Sequence, residues 1–167
     1  MPVTPLVPEL WPTSDVAAAA LAANERLQPV IVQASYLVDD RGYSLMNQLQ
    51  GVLSPQGQIN YSVQHPGVIK AWHRHRLQTD FWLCLAGDLK VGIHDERHAH
   101  VWEVLLSERR PSVLVIPPGL WHGAATIGPV SAALLYYITH RYDPNAPDEE
   151  RRPFDSVPDF SWSVRHR

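Results

Sequence analysis

Proline and glycine recur so often along this chain that no regular element has room to be long. Fifteen prolines and nine glycines break the 167 residues into short pieces. Between the breaks lie apolar, β-branched or aromatic runs at 30–36, 58–64, 68–75, 80–85, 89–94, 101–106, 112–116 and 130–139. Such runs, separated by turn residues, predict short strands, and many strands at short spacing predict a closed all-β barrel or sandwich. Gly87-Asp88 and Pro117-Pro118-Gly119 are the sharpest turn signals.

The ends read differently. Residues 1–29 form a Pro-rich arm with one short helix, in which the alanine run at 17–20 follows a cap at Ser14 or Asp15. Residues 30–142 form the barrel, and 143–167 an irregular tail packed on it, with 149–152 as a solvated turn. The N-terminus lacks the pattern of a secretory signal, no apolar run reaches the ~18–20 residues of a membrane span, and a cytoplasmic protein is expected. Cys84 is the single cysteine, so no internal disulfide can form. Net charge is −3, and no Lys/Arg run could track a phosphate backbone, so nucleic acid is not an expected partner.

Chemistry concentrates in two segments. Gly67 is followed by His73-Arg74-His75, then Asp80, then Gly87, and the second segment is Pro117-Pro118-Gly119-Leu120-Trp121-His122. This pattern resembles the cupin superfamily: a glycine, five residues, His-x-His, an acidic residue, six residues and a glycine, then Pro-x-Gly-x-x-His. Asp80 stands where Glu is usual, and Thr126 where Asn usually ends the second motif. The resemblance implies a double-stranded β-helix, or jelly-roll barrel. Alternation on a strand puts His73 and His75 on one face. The turn at 76–79 is expected to bring Asp80 back beside them, and His122 to come from the opposite sheet. Three imidazoles and one carboxylate suit one divalent ion, whether Fe, Mn, Ni, Co or Zn, with positions left for water or substrate.

More of the chain resembles one cupin family, the dTDP-4-dehydrorhamnose 3,5-epimerases. Asp40-Arg41-Gly42-Tyr43, Asn60 with Ser62, the segment from Gly67 to His73, the segment from Ile116 to Gly123, and Leu135-Tyr136 through Tyr142-Asp143-Pro144 match its motifs in order. The resemblance implies a keto-sugar or sugar-nucleotide substrate and a homodimer that exchanges N-terminal strands. It implies His73 as general base and Tyr136 as general acid. It also implies substrate contacts at Arg41, Asn60, Lys70 and Tyr142, and His140, near the end of a strand, is a further candidate to face the pocket. That family needs no metal. Its enolate-steadying lysine falls where this chain has Asp80, and Lys70 replaces an arginine that contacts diphosphate. A metal held partly by Asp80 could supply the missing electrophile. His73 would then be a ligand, and Tyr136 or His140 would move the protons.

Two other functions remain open at this level. One is an iron-dependent dioxygenase, with Trp72, Trp82, Cys84 and Trp121 lining an apolar pocket, although each also reads as ordinary barrel core. The other is a non-catalytic binder of a small molecule. Outside the motifs, His94, His98 and His100 are expected to be mostly exposed at a hairpin tip, and His65 to sit in a turn.

Overall fold

A computed structural model describes residues 4–165. The outermost ends of the expected arm and tail, residues 1–3 and 166–167, lie outside the described residues. The short apolar runs do become strands, in the order β1 (Glu9–Leu10), α1 (Val16–Arg26), β2 (Val30–Gln33), β3 (Tyr36–Asp39), β4 (Gly42–Leu45), β5 (Gln58–Gln64), β6 (Ile69–Arg74), β7 (Asp80–Ala86), β8 (Asp88–Asp95), β9 (His100–Ser107), β10 (Ser112–Ile116), β11 (Trp121–Ile127), β12 (Ala132–Ile138) and β13 (Glu150–Arg151). Two sheets face each other in a jelly roll: a six-stranded sheet ordered β1-β2-β10-β7-β12-β5 and a five-stranded sheet ordered β13-β6-β11-β8-β9. The β3–β4 hairpin forms a two-stranded sheet of its own, with Leu37 and Val38 exposed. Among the described residues, no helix is long and apolar enough to cross a membrane.

Burial follows strand alternation. On β7, Trp82 and Cys84 point between the sheets, whereas Phe81 and Leu83 point outward. β10 sends Leu114 and Ile116 inward and Val113 and Val115 outward. Both faces of β10 are covered, which explains its unbroken apolar run. The outward set is covered by α1, through Val16, Ala19, Ala20 and Ala23. Asp15 caps that helix, its carboxylate accepting the Ala18 N–H at 2.9 Å.

Three expectations change. Arm and tail are stitched into the sheets, since β1 pairs with β2 and β13 pairs with β6. The solvated turn expected at 149–152 is therefore partly a strand. β11 was hidden because glycine and alanine dominate its middle, and these are weak strand formers. Finally, His122 does not come from the opposite sheet. It lies on β11, directly paired with His73 of β6. Asp80, on β7, supplies the contribution from the facing sheet.

The β6–β11 ladder contains a bulge. His122 pairs with His73, but Ala124 pairs with Lys70, so Ala71 and Trp72 together oppose Gly123. Simple alternation would send Lys70 and His73 to opposite faces. The bulge puts them on the same one. Gly123 makes the bulge possible, because a Cβ there would stand 2.4 Å from Ala71 Cβ and 2.7 Å from the Lys70 carbonyl oxygen. Gly123→Ala should destabilise the fold by about 1–3 kcal/mol, the usual cost of overpacking. Urea denaturation would measure this, and an unchanged midpoint would contradict it.

Candidate active site

The inner face of β5 carries Gln58, Asn60, Ser62 and Gln64, while Ile59, Tyr61 and Val63 face solvent. That is the reverse of a core-forming strand. The polar face lines a cavity of about 670 Å³ between the sheets. Its volume lies in the range of small-molecule sites.

His73, His75, Asp80 and His122 meet in the wall of this region, each offering one ligand atom, with those atoms all within 4.8 Å of one another. The His73 and His122 rings are 4.2 Å apart between centroids. His122 Nδ1 lies 2.9 Å from the Leu120 carbonyl, an acceptor, so Nδ1 carries the proton and Nε2 presents a lone pair to the cluster. That buried Nε2 has no hydrogen-bond partner among the described residues, and Asp80 Oδ2 stands 3.6 Å away. An orphaned buried imidazole nitrogen aimed at two other imidazoles and a carboxylate fits a divalent ion. His75 Nδ1 is likewise occupied, by the Asp148 carbonyl.

Asp80 is oriented by two donors, Gln78 Nε2 at 2.7 Å to Oδ1 and Trp82 Nε1 at 3.1 Å to Oδ2. Desolvation alone would raise its pKa, but contact with His122, the charge of His75 and the Gln78 hydrogen bond prevail and hold it at about 2. His73 moves the other way. Desolvation and then repulsion from His122 push its pKa well below the ordinary imidazole value, despite some compensation from Asp80. Neutral His73 and ionised Asp80 are the forms in which each could ligate a metal, the ion then replacing protonated His122 and His75 as the positive neighbour of Asp80.

Tyr136, on β12 beside the strand of Asp80, lines the cavity from the sheet facing His73 and His122 and pairs in register with Asn60 and Trp82. Desolvation, followed by the charges of Asp80 and Glu149, raises its phenol pKa, which keeps the proton on the oxygen. His140 and Tyr142 also line the cavity, and Lys70 bonds Ser62 at 3.1 Å along its wall. Arg41 is elsewhere: it lies in the β3–β4 turn, pairs with Asp39 at 2.5 Å and does not line the cavity. Of the four residues considered for an apolar pocket, Trp72 and Trp82 line the cavity. Cys84 is buried in the core, and Trp121 packs with the tail, its ring flanked by the Arg74 and Arg152 guanidinium groups at 4.5 and 4.2 Å. His94 is half-buried and accepts from Arg152 at 2.6 Å, so it is not simply a hairpin-tip residue. Sequence reasoning missed Gln78, Asp148, Glu149, Arg151 and Arg152 as lining residues. Only Gln78 carried a local signal, two positions from Asp80.

The polysaccharide biosynthesis C-terminal domain family matches residues 37–150. The chain belongs to that family. A spore coat polysaccharide biosynthesis protein of Bacillus subtilis, SpsL, is 34% identical over 137 residues, covering 77% of this chain and 91% of that protein. The probable low-salt glycan biosynthesis epimerase Agl13 of Haloferax volcanii is 40% identical over 101 residues, covering 57% of this chain and 65% of that protein. A solved dTDP sugar isomerase from Desulfovibrio desulfuricans has the same fold, with a TM-score of 0.70 at 26% identity, covering 80% of this chain and 90% of that one. The cupin barrel and its likeness to the sugar epimerases, expected from the motifs, are borne out.

The depressed pKa of His73 has a measurable consequence. Above the unfolded-state value of about 6.5 the residue is neutral in both states and costs nothing. As pH falls below that value the unfolded chain takes up a proton that folded His73 refuses. The metal-free protein should lose up to about 1.4 kcal/mol per pH unit from this residue until His73 itself protonates. Denaturation at stepped pH, compared with His73→Gln, would read it. Identical pH slopes in the two proteins would contradict it.

Proposed function

We propose that this protein is a sugar epimerase or isomerase acting on a keto sugar or keto-sugar nucleotide, with one divalent metal held by His73, His75, Asp80 and His122. The observation that carries this reading is the convergence of those four donors beside a polar cavity that Tyr136, on the strand next to that of Asp80, also lines. Its support from relatives is the family itself, together with one relative named as a glycan biosynthesis epimerase.

The bound ion would supply Lewis-acid stabilisation of an enolate oxygen, where the epimerase pattern has a lysine and this chain has Asp80. The chain's own residues account for the rest. Epimerisation beside a ketone removes a proton from the α carbon and returns one on the other face. His73 is occupied as a ligand, so the proton is accepted by His140, whose ring lines the cavity. Tyr136, protonated because burial raises its pKa, delivers the returning proton. Asn60, Tyr142 and the remaining polar face of β5 hold the sugar hydroxyls. Lys70 offers its ammonium group to a phosphate of a nucleotide carrier.

Purified protein should contain one divalent ion per chain by elemental analysis, and His75→Ala should contain none. Incubation with 4-keto-6-deoxy sugar nucleotides in deuterated water should place solvent deuterium on a carbon next to the ketone. Tyr136→Phe should slow that exchange by about 10²–10⁴-fold, the range for loss of a general acid. Metal-loaded protein that never incorporates deuterium would sink the proposal.

A further inference from the structure

Three of the four clustered side chains are held by a hydrogen-bond partner outside the cluster. For His122 the partner is Leu120, and for Asp80 it is Gln78 with Trp82, all within two residues of the group they hold. His75 is different. Its Nδ1 is bonded to the backbone carbonyl of Asp148, 73 residues further along the chain. A carbonyl can only accept, so Nδ1 carries the proton and Nε2 is left as the ligand atom.

Asp148 lies in the loop just before β13, where a regular ladder does not yet hold the backbone. The anchoring comes from its own side chain. One carboxylate oxygen accepts the Arg76 N–H at 2.9 Å, and the other accepts the Leu77 N–H at 2.8 Å. These two donors immediately follow His75. Two residues on, Glu150 pairs with Arg74 both in the β13–β6 register and through its side chain at 2.7 Å. His75 is thus bracketed, with Arg74 tied to Glu150 on one side and Arg76 tied to Asp148 on the other.

We infer that Asp148 is a positioning residue for His75: its carbonyl selects the Nδ1–H tautomer, and its carboxylate, by gripping the Arg76 and Leu77 amides, keeps that carbonyl in place. The consequence for metal affinity rests on the metal reading given above, but the tautomer claim does not. Outer partners of this kind commonly tune metal affinity about 10–100-fold.

The test compares wild type with Asp148→Ala and Asp148→Asn. Long-range ¹H–¹⁵N NMR on the metal-free proteins reports the His75 tautomer. Wild type should show Nδ1–H, and Asp148→Ala should show a mixture. Asp148→Asn keeps one side-chain acceptor oxygen and should fall between them. Cobalt(II) titration followed by its visible spectrum should show a loss of affinity of about 10–100-fold in Asp148→Ala, with an unchanged far-ultraviolet dichroism spectrum. An unchanged tautomer in Asp148→Ala overturns the positioning role. If wild type takes up no cobalt, the metal reading fails, and the tautomer measurement still decides the role of Asp148. Should Asp148→Ala not fold, the Asp148→Asn tautomer decides it alone.

Discussion

The close approach of β6 to β11 at Gly123 is the constraint on which the rest of the site depends. A side chain there would collide with the backbone of Ala71 and Lys70. Without one, two residues of β6 fit opposite one of β11. The strand then resumes its alternation in the opposite phase. As a result Lys70 and His73 share the cavity side, and the Trp72 ring between them packs with Phe160 and Trp162 of the tail. One missing methyl group therefore sets the inner face of the site and the docking point of the tail.

The facing sheet completes the cluster by a different route. The connection after His75 crosses from one sheet to the other, so Asp80 looks back at His122 across the barrel. Its own strand hides Phe81 and Leu83 beneath α1 while presenting Asp80 and Trp82 inward. The alanine-rich helix thus matters to the site at one remove. By covering the outward apolar residues of β7 and β10, it fixes which faces of those strands look inward.

Much of this was legible in the residues. Proline and glycine spacing pointed to short strands, and the offsets among His73, His75, Asp80 and His122 marked side chains that do converge. What stayed hidden was non-local. Alternation says which residues share a face but not which sheet a strand joins, so His122 was expected opposite His73 rather than beside it. Glycine and alanine in β11 masked a strand, and a two-residue strand such as β13 carries no periodicity at all. The partner of His75 and one of the two guanidinium groups on Trp121 come from the tail, and no spacing rule connects residue 75 to residue 148. Arg41 shows the converse: a motif match that, within a single chain, lies outside the cavity.

The reversed pattern of β5 has a further meaning. A strand with Gln58, Asn60, Ser62 and Gln64 turned inward gives up hydrophobic burial that the same barrel could have had. Replacing Asn60 and Ser62 with valine, while keeping Gln64 on the Val68 and Ala124 carbonyls, should make a drier interior with little room for a hydroxylated ligand and a more stable barrel. This edge of the molecule has therefore been shaped by what enters it more than by the needs of folding. Engineering for heat resistance would be tempted to fill it, and would do so at the expense of whatever the protein binds there.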